Sequence, residues 1–326
     1  MLACVLSILR GDRMRLRRST LNVSGNMRTL AEKSARSNVD VVMIDLEDAI
    51  LESMKDAARE ETARILREVD FGNRLRCVRI NQWGSEHALP DVKAVLAAGA
   101  EEIKMTKCEL PGDVLALNDI LADFERDHAL PGNSIGISLM IESPLGVMNA
   151  YALASCCERI TSVSLGAGDI ASSLGVDRDT SRGALQLLYV KQKLALCAHA
   201  AGVHWVLDTS FVPMPGQSPA EARETLRGDC LDMKKMGFTG RSTLTPDEVE
   251  AINEIFSPTP AEIEFSRKVA ARWGTGLSEN AAEPGREGVS AVGEGALVVD
   301  GRHIDEGKAN KAMRVVALAD AIERRG

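Results

Sequence analysis

Charged residues close a series of short apolar runs in this 326-residue chain: Asp45-Leu46-Glu47-Asp48, Arg79-Ile80-Asn81, Glu142-Ser143 and Gly166-Ala167-Gly168-Asp169. Glu142 and Asp169 each end an apolar run and each precede a helical pattern. Two carboxylates so placed can hold one hard divalent cation through oxygen and leave positions open for water and substrate oxygens. With no His or Cys beside them, Mg²⁺ suits the pair better than Zn²⁺. A salt bridge or a helix cap is the other reading of the same pair. Arg79 offers a planar fork that matches a carboxylate, and burying it requires an acidic partner. Asp45, Glu47 and Asp48 are the candidates, and an acid that aims the arginine is compatible with a substrate that binds it. By strand alternation Asp45 and Glu47 point one way and Leu46 and Asp48 the other, so only some of these acids are expected in the site. Gly166 and Gly168 either let a ligand approach the backbone or serve a tight turn with positive φ.

These residues become one site only if the runs before them are strands that converge. Apolar, β-branched runs alternate with helical patterns, the signal of repeated βα units and a parallel sheet. Eight strands are expected, near 20–23, 41–45, 76–80, 102–106, 135–141, 160–165, 204–207 and 238–244. Helical stretches between them include 27–36, 53–68, 91–98, 145–157 and 185–201. The count favours a closed (β/α)8 TIM barrel, in which the carboxyl ends of all strands meet at one mouth. Residues 1–256 are expected to form this catalytic domain. Ser257-Pro258-Thr259-Pro260 marks a break before a helix over 261–273. A Gly-, Ser- and Glu-rich stretch follows over 274–295, then a hairpin over 296–304 turning at Asp300-Gly301, then a helix over 308–323. Residues 257–326 therefore read as a C-terminal extension, either a lid or arm or a plain surface appendage.

The bulk composition bounds the partners. The chain is 45% hydrophobic with a formal net charge of −8, and its charges are mixed rather than blocked, which argues against nucleic acid or an anionic membrane surface. Seven cysteines lack metal-ligand spacing and several lie in apolar runs, as reduced core thiols in a cytoplasmic protein would. The apolar opening 1–9 is too short for a membrane span and precedes its charges, so no signal or transmembrane segment is expected. The five histidines share no motif, and no serine nucleophile elbow, dinucleotide fingerprint or phosphate loop is present.

Taken in order, Arg18-Ser19 with Ser24-Gly25-Asn26, 42–49, 78–81, 141–143, 164–169, 253–258 and 301–305 resemble the citrate lyase β-subunit-like family of the HpcH/HpaI aldolase superfamily, which includes malyl-CoA and citramalyl-CoA lyases. The resemblance covers nearly the whole chain. It implies a Mg²⁺-dependent (β/α)8 barrel, trimeric or hexameric, that makes or breaks a carbon–carbon bond next to a CoA thioester. By carry-over Glu142 and Asp169 are metal ligands, Arg79 the clamp on the oxo-acid carboxylate, and Ala167 and Gly168 substrate-lining. Lys33 and Arg18 fall to the CoA moiety. Glu47 and Asp48 join the catalytic group, and Asp305, on the C-terminal arm, is the candidate for proton transfer.

The chain also departs from that pattern. Ser24 stands for a usual Pro, Met27 for a basic residue, Thr106 for a Pro before Lys107, and Leu244-Thr245-Pro246 for Ile-His-Pro. Metal and carboxylate positions are intact, whereas positions touching CoA or the acyl pocket are altered. The expected activity is cleavage of a 3-hydroxyacyl-CoA to an acyl-CoA and an α-oxo acid. The alternatives are an aldolase of free hydroxy-oxo acids, a thioesterase, and a subunit acting on an acyl-carrier protein.

Overall fold

The computed structural model describes residues 15–181, 185–279 and 297–325, with the side chains of 274–279 left out of the description. Eight parallel strands close into a barrel in sequence order: β1 Ser19–Ser24, β2 Val41–Asp45, β3 Leu75–Arg79, β4 Glu102–Met105, β5 Gly136–Ile141, β6 Ile160–Leu165, β7 Trp205–Asp208 and β8 Gly240–Thr243. The last strand pairs with the first, Thr20 lying opposite Ser242. Helices between the strands cover the outer face, so the fold is a (β/α)8 barrel with a C-terminal extension. All expected strands are present, with ends shifted by a residue or a few.

Helix positions differ more. The pattern over 145–157 is two short helices, Pro144–Met148 and Ala150–Ser155, because Asn149 leaves the helix and its side-chain amide donates to the Glu109 carbonyl at 2.9 Å. Ser143 starts the first of them by accepting from the Gly146 N–H at 3.1 Å. Helix Pro111–Asp127 buries Val114, Leu117, Leu121 and Glu125 at three- and four-residue spacing. Glu125 is tolerated there because the buried Arg159 reaches it at 2.6 Å.

Strand alternation divides the barrel residues into two sets. Outward-facing Leu21, Val42, Ile44, Val78, Ile103, Ile137, Leu139, Val163 and Val206 pack against the helices in the main core. Inward-facing residues follow the register across the strands: Asn22, Met43, Cys77 and Glu102 in one run, and Asp45, Arg79, Lys104, Ser138, Ser162 and Trp205 in another. Val41, Met43, Leu75 and Cys77 form an apolar cluster inside. Interiors of such barrels are ordinarily filled by branched aliphatic side chains. Here β4, β5 and β6 place charged and hydroxyl groups inside.

The compact barrel unit runs from Arg17 to Phe256, and the C-terminal unit takes up at Ser257. The expected domain start at residue 1 falls outside the described residues. In the C-terminal unit, helices Pro260–Glu279 and Glu306–Arg325 pack together with an antiparallel hairpin of strands β9 Leu297–Val299 and β10 Arg302–Ile304. Asp300 and Gly301 take φ of 46° and 74°, the left-handed pair that a two-residue hairpin turn requires. Val269, Val299, Ile304, Ala309 and Ala312 form its small core, and the Arg302 guanidinium lies 4.7 Å from the Phe265 ring centre. Most of the Gly-rich stretch over 274–295 lies outside the described residues.

Candidate active site

The strand-end charges meet at the carboxyl ends of β2 to β6. Arg79, at the end of β3, is 8% exposed and lies in register with Asp45. Its Nε donates to Asp45 Oδ1 at 2.6 Å and its Nη2 to Asp45 Oδ2, a bidentate pair. The Nη1 edge faces Asp48 at 3.2 Å, Glu47 at 3.3 Å and the Met140 sulfur at 3.9 Å. Burial alone disfavours the charged guanidinium, but Asp45, Glu47 and Asp48 outweigh it and raise its pKa. Asp45 is fixed in turn by the Glu47 and Ala49 N–H groups, at 2.9 and 3.2 Å. Thus Asp45 aims the arginine, and Nη1 is shared between Asp48 and Glu47.

The expectation that only some of the three acids belong here is corrected. β2 ends at Asp45, alternation stops, and the turn brings Glu47 and Asp48 round to the same guanidinium. The two then diverge. Burial and a shared hydrogen bond with Asp48 raise the Glu47 pKa, partly offset by Lys107 and Arg79. For the exposed Asp48, the opposing effect of burial is outweighed by the bond from Glu47 and by Arg79 and Lys107, and its pKa falls. Lys107 was not among the expected site residues, although it too follows a strand end. Its Nζ reaches Glu47 Oε1 at 2.6 Å, while its backbone N–H donates to Glu142 Oε1 at 2.6 Å. That N–H is aimed by a φ of 49°, a left-handed conformation uncommon for a lysine.

Glu142 follows β5 and is 2% exposed; its Oε2 is buried without a hydrogen-bond donor. Burial first, then the neighbouring Asp169 carboxylate, lift its pKa to about 8. Among the described residues no Lys, Arg or His comes within ion-pairing distance of Glu142 or Asp169, so the salt-bridge alternative does not apply. Two adjacent carboxylates, one with an orphaned buried oxygen and neither neutralised, fit a hard divalent cation. Gly166 takes φ of −96°, so the positive-φ reading is replaced by close approach. A Cβ there would collide with Glu142 Cβ and lie 2.7 Å from its Oε2. Gly168 and Asp169 are exposed in the first turn of helix Ala167–Ser173. Ala167 is 2% exposed and packs in the core.

Two further assignments need correction or restriction. Arg18 precedes β1, at the end of the barrel opposite the mouth, and is buried on Asp40 through Nε and Nη2 at 2.9 Å each. Its guanidinium is spent on tying β1 to β2, and it is not placed for CoA. Lys33 is exposed near the end of helix Arg28–Arg36. Asp305 lies in the C-terminal unit, where its Oδ1 accepts from the Lys308 N–H at 2.8 Å and starts the last helix. That bond and the Lys308 charge hold its carboxyl below the usual range.

Residues 18–246 match the HpcH/HpaI aldolase/citrate lyase family. The chain belongs to this family. Citrate lyase subunit beta of Haemophilus influenzae is 30% identical over 295 residues, covering 90% of this chain and 96% of that protein. A (3S)-malyl-CoA thioesterase of Cereibacter sphaeroides is 30% identical over 305 residues, covering 94% and 95%. The fold matches CitE of Mycobacterium tuberculosis, solved with magnesium, acetoacetate and coenzyme A, at a TM-score of 0.65 with 20% identity, covering 93% of this chain and 97% of that one. A citrate lyase from Burkholderia xenovorans matches at a TM-score of 0.75 with 16% identity, covering 94% and 93%. The family is enzymatic and acts as lyases or on CoA thioesters. No helix among the described residues is long and apolar enough to cross a membrane.

Proposed function

We propose that the chain is a Mg²⁺-dependent carbon–carbon lyase cleaving a 3-hydroxyacyl-CoA of the malyl- or citramalyl-CoA type into an acyl-CoA and an α-oxo acid. The observation that carries this reading is the Glu142–Asp169 pair, with its orphaned oxygen and no protein cation in ion-pairing reach among the described residues, beside an arginine that Asp45 aims and whose Nη1 lies against the exposed Asp48. A bound divalent cation would supply Lewis-acid polarisation of the substrate oxygens.

The chain's own residues supply the remaining roles. Arg79 holds the carboxylate next to the reacting carbon, and Asp45 fixes the plane of its fork. Glu47, whose pKa is raised and which touches both Arg79 and Lys107, takes up the hydroxyl proton. The C–O bond then gains carbonyl character, the C–C bond breaks, and its electron pair becomes a thioester enolate. An acid protonates the enolate carbon to complete the acyl-CoA. Asp305 is assigned this last role on the family resemblance, and it must first be lifted from its depressed, helix-capping state.

A panel of malyl-, citramalyl- and citryl-thioesters incubated with Mg²⁺ tests the reading. Release of glyoxylate, pyruvate or oxaloacetate is expected, and Glu142→Ala or Asp169→Ala should abolish it. Full activity in either variant refutes the metal assignment. The thioesterase relative motivates a second reading, hydrolysis of the thioester. It predicts free CoA and an intact hydroxy acid in place of acyl-CoA and an oxo acid.

A further inference from the structure

A cavity lies on the outer side of the barrel wall. On β7, Val206 packs toward the helices, so Asp208 two residues on faces the same way, and Arg241 on β8 lies in register with Asp208. Register with β1 agrees: Thr243 lies opposite the outward-facing Leu21, which puts Arg241 on the outer side as well. Between this part of the wall, the residues leading into helix Leu188–Ala200 and the later turns of helix Pro219–Lys235 is a space of about 350 Å³. Small-ligand pockets span about 300–1,000 Å³. Arg79, Glu142 and Asp169 are not among the lining residues, and Ala167, which starts the helix carrying Asp169, borders the space.

Its walls are of two kinds. Leu187, Leu188, Phe211, Met233 and Met236 supply apolar surface, and Arg178, Lys191 and Arg241 supply cations. Arg241 is 2% exposed. Its Nη1 donates to Asp229 at 2.7 Å and its Nη2 lies 3.4 Å from the buried Asp208, but its Nε is buried without an acceptor. Those two acids are thereby taken. Of the other acids on the wall, Asp179 accepts from the Ser181 N–H at 2.8 Å and Asp232 pairs with Lys235 at 3.4 Å. The half-buried Arg178 donates through Nη2 to the Ser210 carbonyl at 2.7 Å, and among the described residues neither it nor Lys191 pairs with an acid. Burial lowers the Arg178 pKa; Asp208 opposes this, and the nearby Arg241 charge adds to it. A partly desolvated guanidinium without an acid, set beside an apolar lining, suits a carboxylate carried on a hydrocarbon body.

We propose that this cavity is a binding site for an aliphatic monocarboxylate, its head met by Arg178 and Arg241 and its chain by Leu187, Phe211 and Met233. The site is separate from the mouth of the barrel, and the proposal does not depend on the lyase reading.

The test is calorimetric titration of octanoate into the full chain, with octanol as the uncharged counterpart and acetate as the head without the body. Wild type should bind octanoate at least about tenfold more tightly than either, since a hydrogen bond to a charged group contributes that much. Arg178→Gln should weaken octanoate by about tenfold or more. Leu188→Trp, at a half-exposed lining position, should block it by filling the space, and it serves if the first variant does not fold. Arg79→Lys, at the mouth, should bind octanoate as wild type does. No octanoate binding in wild type, octanol or acetate binding equally well, or unchanged affinity in a folded Arg178→Gln or Leu188→Trp protein overturns the proposal. Loss of binding in Arg79→Lys would put the octanoate at the mouth and overturn it too.

Discussion

Replacing Glu142 by Gln in metal-free protein tests whether this carboxylate is held in readiness for a cation. The folded pKa of Glu142 is about 8 and the ordinary value is 4.5. Below pH 4.5 both folded and unfolded chains carry the proton, and the group is neutral toward folding. Between 4.5 and about 8 the unfolded chain has released its proton while the folded chain retains it, so stability falls as pH rises. Above about 8 the full penalty applies. At ~1.4 kcal/mol per unit the shift corresponds to a ceiling of roughly 5 kcal/mol, which sharing the proton with Asp169 reduces. Gln keeps the acceptor for the Lys107 N–H and places an amide toward Asp169, which removes the penalty. Glu142→Gln should therefore melt several degrees above wild type near pH 9 in chelator and match it near pH 5, at ~2–4 °C per kcal/mol for a domain of this size. Added Mg²⁺ should raise the wild-type melting temperature at the higher pH and leave the variant unmoved. Parallel pH profiles for the two proteins, or an equal Mg²⁺ response, would refute the reasoning.

Gly166→Ala should lose Mg²⁺ binding by calorimetry because its Cβ occupies the place of the Glu142 side chain, whereas Gly168→Ala, with nothing within 4 Å, should bind like wild type. Asp45→Asn strips the bidentate partner from a buried arginine and should cost about 3 kcal/mol in denaturant unfolding. Arg79→Lys keeps the charge but loses the fork, and should raise the KM for the substrate carboxylate well before it lowers the melting temperature. Arg18→Ala should destabilise the barrel with unchanged CoA affinity, since its partner is Asp40; an effect confined to CoA binding would restore the original assignment. Lys33→Ala, at an exposed position, should leave the melting temperature unchanged and weaken CoA binding if that carry-over is right.

Much of this site was legible in the sequence because its parts are strand ends. A run such as Val41 to Asp45 announces both the strand and the residue that leaves it, and eight such runs imply a common mouth. Residue type supplied the proposed roles: paired acids for a cation, and an arginine for a carboxylate. The Asp300-Gly301 turn was equally local, and it is found.

What sequence could not supply was partnership. Arg18 and Arg79 are both arginines at strand ends, but one lies at the foot of the barrel on Asp40 and the other at its mouth on Asp45. Alternation along β2 assigned Asp48 to the wrong side because the strand ends three residues before it. Gly166 looked like a turn residue until the fold brought Glu142 against it. Lys104 inside the barrel reads along the chain as one more lysine. Local chemistry and periodicity determined the strands and the kinds of groups at their ends, since both depend on residues close in sequence. Which charges neutralise one another, and which are left for a ligand, was decided only by closure of the barrel, because those distances are set between strands far apart in the chain.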